Sequence, residues 1–276
     1  LIFSGFLHAK TNEKIQSDHV AVRGLINRIF PNKSGQFIIE NISAANGQET
    51  FELDGKGDKI ILRGSSEIAL SKALNYYLTN YCKTSVSWYK SEVIEVPNVL
   101  PPVTSITRKS CRFEKRFFLN YCTFGYTMLW WQWDDWERLI DWMALNGINM
   151  PLAITGQEAI WQKVWRKFGM TDNQIRAFFT GPSHLPWQRM GNLDAWMGPL
   201  PQSFINHQFE LQKKIIEKII FQGLSSENGV RYSRCKAKNA TFYYKMLHFF
   251  YFELTIIVLW ILDILRVKVC HIVRAG

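Results

Sequence analysis

Residues 116–169 read "RFFLNYCTFGYTMLWWQWDDWERLIDWMALNGINMPLAITGQEAIWQKVWRKFG". The first eight, "RFFLNYCT", form a short apolar run of the kind that makes a buried strand. "DDWERLIDWMALNG" (134–147) then places apolar residues at helical spacing and stops at Gly147, the residue type that best tolerates a left-handed helix end. "INMPLAITG" (148–156) repeats the strand signal, and "QEAIWQKVWRKFG" (157–169) repeats the helix signal with Gly169 as its stop. Strand, helix, strand, helix at this spacing means a parallel sheet, either an open doubly wound sheet or a barrel. No GxGxxG follows either strand, so a dinucleotide site is not supported. Long loops rich in Trp and polar residues after the strand ends fit the active-site face of a (β/α)8 barrel.

Downstream, "TDNQIRAFF" opens with Thr171 and, three residues on, Gln174, the signature of a capping box. A polar loop with Gly and Pro runs from 180 to 201, and "SFINHQFELQKKIIEKIIFQG" (203–223) is a long amphipathic helix. Upstream, "VAVRGLINRIF" reads as a helix closed by Pro31. "QFIIE" and "TFELDGKGDKIILRG" read as strands, the second stretch folded about a turn at Asp54–Asp58. "SSEIALSKALNYYLTNYC" is a helix behind a serine cap. Residues 18–85 thus describe a small α/β domain with a mixed sheet. Residues 86–112, with Pro97, Pro101 and Pro102, suit a connector. The expected fold is α/β, with an N-terminal domain and connector over 1–112 and the first strand–helix units of a truncated TIM-type barrel over 113–224. A divergent basic and hydrophobic tail occupies 225–276.

The chain has 276 residues, 47% of them hydrophobic and 20% charged, a globular composition. Its net charge is +10, and the tail supplies half of it: eight Lys or Arg against three acids, giving +5. The remainder is spread without a basic stripe, which argues against nucleic acid as a partner. Five cysteines without CxxC spacing and six histidines without HxH or HxxxH spacing point to no metal, and no organic cofactor is expected. Asn32, Asn41 and Asn239 head Asn-x-Ser/Thr sequons, which suit a secretory-route protein, and Asn32 and Asn41 are the expected glycosylation sites. "LIFSGFL" at the start is consistent with the end of a signal segment.

Five tryptophans (Trp130, Trp131, Trp133, Trp136, Trp142) crowd beside Asp134, Asp135 and Glu137. Trp136 and Trp142 fall on the inner helix face and read as core; the other three read as a pocket wall. Flat aromatic rings beside amides and carboxylates are what a sugar requires, because pyranose CH faces stack while hydroxyls take hydrogen bonds.

Five further motifs occur in order: "ERLIDWMALNGIN", "GQEAIWQ", "FFTGP", "WQRMGNL" and "GPLP". Together with "NYCTFGYTMLWW" they closely resemble the lysosomal alpha-N-acetylglucosaminidase family, and "VRGLINRI" with the 66–82 helix extends the likeness more weakly into the N-terminal domain. The resemblance implies a retaining glycoside hydrolase, lysosomal or secreted, that removes terminal α-linked N-acetylglucosamine from heparan sulfate. It implies an N-terminal α/β domain, a (β/α)8 barrel and a helical C-terminal domain, with the catalytic glutamate pair on later strands. No counterpart of that pair is found in this sequence, so no catalytic residue is expected in it and the chain alone is expected to be inactive. The alternative is a catalytically dead truncated isoform that binds carbohydrate or another protein.

Substrate-binding candidates are Asn120, Tyr121 and Cys122 at the end of the first strand, Gln157 and Glu158 after the second, and Trp187 and Asn192 in the 180–201 loop. Asn120, Cys122, Gln157 and Trp187 are expected to share one concave surface. Helix capping is the competing reading for Glu158, Asp134 and Asp135, since carboxylates favour helix N-termini. The expected partner is a glycosaminoglycan or small glycoside. After "FQGL" the sequence departs from the family, and "FFYFELTIIVLWILDIL", broken by Glu253 and Asp263, falls short of a full membrane span. Membrane contact therefore depends on the 246–265 tail being a genuine part of the protein.

Overall fold

The computed structural model describes residues 19–89 and 91–224. The readings of "LIFSGFL", of Asn239 and of the 225–276 tail, membrane contact included, lie outside these residues.

The N-terminal part opens with α1 (Val20–Ile29), whose Val22, Leu25, Ile26 and Ile29 form its buried face. Strands β1 (Phe37–Asn41), β2 (Thr50–Lys56) and β3 (Lys59–Gly64) follow, then α2 (Glu67–Asn80). Ser66 caps α2 by accepting a hydrogen bond from the Ala69 amide at 3.0 Å. β1 runs parallel to β3 and β2 antiparallel to it, so the expected mixed sheet is present. Within residues 86–112, β4 (Thr107–Ser110) adds antiparallel to β2, giving the order β1-β3-β2-β4. Alternation hides Phe37 and Ile39 from β1 against Leu70, Leu74, Tyr77 and Leu78 of α2, and these form one core with α1.

The second part begins with β5 (Phe117–Phe118), followed by α3 (Thr123–Tyr126) and α4 (Trp133–Leu145). β6 (Met150–Pro151) pairs parallel with β5 and leads into α5 (Gln157–Lys167). Two parallel strands joined by a helix make the start of a β/α barrel, and no closed sheet exists among the described residues. Both strands are far shorter than the sequence implies. Leu119 takes a left-handed φ of 78°, which ends β5 where a continuous strand over 116–123 was expected. Pro151 has no amide to donate, and Asn149 turns its side chain to the Arg116 amide at 2.8 Å.

Next come α6 (Asp172–Phe178), α7 (Leu185–Arg189) and α8 (Gln202–Phe221). The Thr171–Gln174 capping box forms as expected. The 180–201 segment is not a plain loop: a 3-10 turn at Pro182–His184 runs into α7, so Trp187 sits on a short helix. α4 and α8 pack through Trp136, Leu139, Ile140 and Met143 against Leu211, Ile215 and Ile219.

A charged seam joins the two parts. Arg28 of α1 donates twice to Asp141 of α4, at 2.6 and 2.7 Å. Lys218 of α8 reaches Glu137 at 2.8 Å, and Gln222 donates to Asp141 at 2.8 Å. Burial by itself would raise the Glu137 carboxyl, but the Lys218 ammonium and Arg28 outweigh it and hold it below the usual range. α8 therefore bridges the start of the barrel while α1 clamps α4 from the other side. No helix among the described residues is long and apolar enough to cross a membrane.

Candidate functional site

The turn after β5 is built by its own polar side chains. Asn120 Oδ1 accepts from the Thr123 amide at 3.1 Å and from Thr123 Oγ1 at 2.9 Å, which starts α3. Asn120, Tyr121 and Cys122 thus lie in a turn at the head of α3 rather than on the strand itself. Cys122 is a half-buried free thiol, and Asn120 is exposed.

Gly125 lets this turn meet α7. A Cβ there would lie 2.8 Å from the Trp187 ring, 2.9 Å from Pro186 and 3.0 Å from the Ser183 carbonyl oxygen. Tyr126 meets Trp187 edge to face, with ring centroids 5.2 Å apart. The 120–126 turn and the Trp187 helix are therefore one unit, although more than fifty residues separate them in the chain.

The head of α5 is fixed from two sides. Gly156 takes a left-handed φ of 71°, and a Cβ on it would fall 2.6 Å from the Gln208 carbonyl oxygen of α8. Only glycine permits that approach. Two residues further, Glu158 receives two hydrogen bonds from Arg189, at 2.7 and 2.8 Å. Their side chains are only 2% and 5% exposed, so the pair is shut away from water. This bidentate contact ties the head of α5 to the helix that carries Trp187. Gln157 is 8% exposed, and its Oε1 accepts no hydrogen bond among the described residues. Gln188 of α7, by contrast, is engaged: Oε1 accepts from the Thr180 amide at 2.9 Å and Nε2 donates to the Phe178 carbonyl at 2.8 Å.

Of the residues singled out from sequence, Trp187 meets the 120–126 turn, and Glu158 meets the Trp187 helix through Arg189. Gln157 shares the head of α5. Asn192 is exposed and returns its amide to the Trp187 carbonyl at 2.9 Å. Asp135 behaves as the cap anticipated for it, accepting from the Gln132 amide at 2.9 Å. Trp136 is core. Trp131 leans on Trp136, with centroids 5.5 Å apart, while Trp130 is exposed against Phe204. Asn32 and Asn41 are both exposed. Sequence reasoning missed Arg189 as the partner of Glu158. The available signal was the carboxylate itself, since a Glu in so apolar a stretch needs a cation when buried. No cluster of three or more potential metal-binding side chains occurs among the described residues.

With this geometry in place, similarity to known proteins becomes specific. Residues 116–226 match the alpha-N-acetylglucosaminidase TIM-barrel domain, and residues 20–102 match the alpha-N-acetylglucosaminidase N-terminal domain. Human alpha-N-acetylglucosaminidase is 40% identical over 210 residues, covering 74% of this chain and 28% of that protein. A family 89 glycoside hydrolase from Clostridium perfringens, solved with PUGNAc, superposes with a TM-score of 0.70 at 32% identity, over 74% of this chain and 23% of that one. The same fit is found to that enzyme with two Glu-to-Gln substitutions, solved with its substrate GlcNAc-alpha-1,4-galactose. The chain spans about a quarter of the length of these relatives, 28% of the human protein and 23% of the bacterial one. The N-terminal sheet and the first two barrel units are thus homologous in sequence and in fold to one group of glycosidases, and the chain belongs to the alpha-N-acetylglucosaminidase family.

Proposed function

We propose that residues 116–201 supply part of the sugar-binding wall of a retaining alpha-N-acetylglucosaminidase acting on terminal α-linked N-acetylglucosamine of heparan sulfate. Asn120, Tyr121, Cys122, Gln157, Trp187 and Asn192 are the contact residues. Trp187 offers a ring face for a pyranose, and the buried Gln157 Oε1 is an acceptor suited to a sugar hydroxyl or acetamido N–H. Glu158 acts through Arg189: it positions the Trp187 helix.

The observation that carries this reading is the buried Glu158–Arg189 pair, which fixes the head of α5 beside the Trp187 helix. Retaining hydrolysis needs two carboxyls roughly 5–5.5 Å apart across the scissile bond. Glu158 gives both oxygens to Arg189, and Asp135 caps α4. Neither is available for that chemistry; in this reading the catalytic pair lies outside the described residues, and the chain is expected to bind without turnover. Lysosomal or secreted placement, with glycans on Asn32 and Asn41, belongs to the same proposal.

The test is titration of the 276-residue chain with N-acetylglucosamine, followed by line broadening of the sugar acetyl resonance, beside an assay with a chromogenic α-N-acetylglucosaminide. Binding that Trp187→Ala abolishes, with no turnover, is the expected result. Turnover above blank would refute the assignment of catalysis to residues elsewhere. Binding unaffected by Trp187→Ala would refute the site.

A further inference from the structure

Beyond Trp187 the aromatic surface continues outward. His184 lies 6.1 Å from Trp187, centroid to centroid, and Trp196 lies 6.4 Å from His184. With Tyr126 these rings form a row, half-buried at Trp187 and open at its ends, where Trp196 is 57% and Tyr126 is 72% exposed. A single exposed aromatic is ordinary on a protein surface. This one is held out by a backbone that works against its own preferences. Ala195 and Met197, on either side of Trp196, adopt left-handed φ of 48° and 57°. Residues with a Cβ occupy that region at a cost and persist there only when surrounding contacts enforce it.

The enforcing contacts are all present. The Ala195 amide donates to the Phe178 carbonyl and the Gly181 amide to the Trp196 carbonyl, both at 2.8 Å; Leu200 donates to the Arg176 carbonyl at 3.0 Å. Glycine is required on both sides of the seam. A Cβ on Gly181 would lie 2.7 Å from the Met197 carbonyl oxygen, and one on Gly198 would lie 2.5 Å from the Phe179 carbonyl oxygen. The result is an indole displayed on a rigid loop, its outer face uncovered. Asn192 and Asp194 are exposed in the same segment, as is Met197, and Ser183 Oγ is 2.9 Å from His184 Nδ1. An interface for an apolar protein face is depleted in such polar groups at its centre. Exposed rings on a segment that also carries a carboxamide, a carboxylate and a hydroxyl suit a pyranose, which is apolar on its faces and polar at its edge.

We propose that Trp196 is a stacking surface for a second pyranose, the residue that follows the terminal sugar in an oligosaccharide held at Trp187. This rests on the sugar-site reading of Trp187 and deepens it. Trp187 takes the terminal residue, His184 marks the junction, and Trp196 takes the next ring. Selection for an oligosaccharide over a monosaccharide would then reside in the 190–201 loop.

The experiment compares N-acetylglucosamine with GlcNAc-alpha-1,4-galactose as ligands of the full chain, by calorimetric or resonance titration. Trp196→Ala should weaken the disaccharide by about five- to tenfold, the loss of one aromatic contact, and leave the monosaccharide within about twofold. Trp196→Phe keeps a ring and should restore most of the disaccharide affinity, which separates stacking from a folding defect. Equal loss for both ligands, or none for the disaccharide, overturns the assignment to Trp196 while leaving Trp187 in place. Failure of wild-type protein to bind either sugar overturns both readings. Concentration-dependent self-association that Trp196→Ala abolishes, with disaccharide affinity unchanged, would give the ring row to a second copy and also overturn the proposal.

Discussion

Replacing Arg189 by Met leaves Glu158 as a lone carboxylate in a site that is 2% exposed. Breaking a buried pair on one side costs about 3–5 kcal/mol, because the remaining charge keeps its desolvation penalty and loses its compensation. For a domain of this size each kcal/mol moves the midpoint by roughly 2–4 °C, so Arg189→Met should lower Tm by roughly 6–20 °C. The double variant Glu158→Leu with Arg189→Met removes both charges and fills similar volume. Such replacements are often neutral or even stabilising, by about 1–4 kcal/mol, so the double variant should recover most of the loss. Thermal unfolding followed by circular dichroism, with urea midpoints as a second measure, reads the difference directly. A double variant as unstable as the single one would mean that the cost lies in packing rather than charge. A single variant within about 1 kcal/mol of wild type would mean that water reaches Glu158, and the ion pair could not then be what fixes the Trp187 helix.

Gly125→Ala pushes a methyl to within 2.8 Å of the Trp187 ring, so it should cost about 1–3 kcal/mol and weaken N-acetylglucosamine binding more than a matched change at the open Gly35; unchanged binding would detach the 120–126 turn from the site. The seam at Glu137 gives a pH test. Its folded-state pKa is depressed, so its stabilisation is complete above the ordinary value of about 4.3 and is lost as pH falls through the folded value. Urea midpoints measured from pH 7 to pH 3 should drop on the acid side of that value, and Lys218→Met should shrink the drop; an unchanged profile in the variant would remove Lys218 as the cause. Thr171→Ala deletes one half of the capping box and should cost about 1 kcal/mol, read from the urea midpoint, whereas Thr171→Ser should cost little.

Periodicity and end signals carried most of the secondary structure. α4, α5 and α8 follow apolar spacing, Ser66 and Thr171 start their helices, and Gly147, Gly169 and Gly223 all take left-handed φ just beyond a helix end. These are local choices, settled by a residue and its neighbours within four positions. The strands of the second part were overcalled because an apolar run says only that a segment is buried. The left-handed turn at Leu119 and the Asn120–Thr123 bonds cut β5 to two residues, and neither leaves a mark in hydrophobic period. The Gly and Pro content of 180–201 suggests a loop around Trp187, yet Pro182 and Pro186 both begin helical turns, where a missing amide does no harm.

By itself, then, the sequence determined the order of the longer helices, the mixed N-terminal sheet apart from β4 and, through linked motifs, the family. Which side chains meet was decided only by the tertiary structure. Glu158 and Arg189 lie 31 positions apart, Arg28 and Asp141 113, and Gly125 has room for Trp187 only once α3 and α7 are docked. A charge in sequence looks the same whether it will face water or be buried. Its partner is chosen when packing of the apolar faces brings two elements together, and the cost of burying it alone then makes that choice specific.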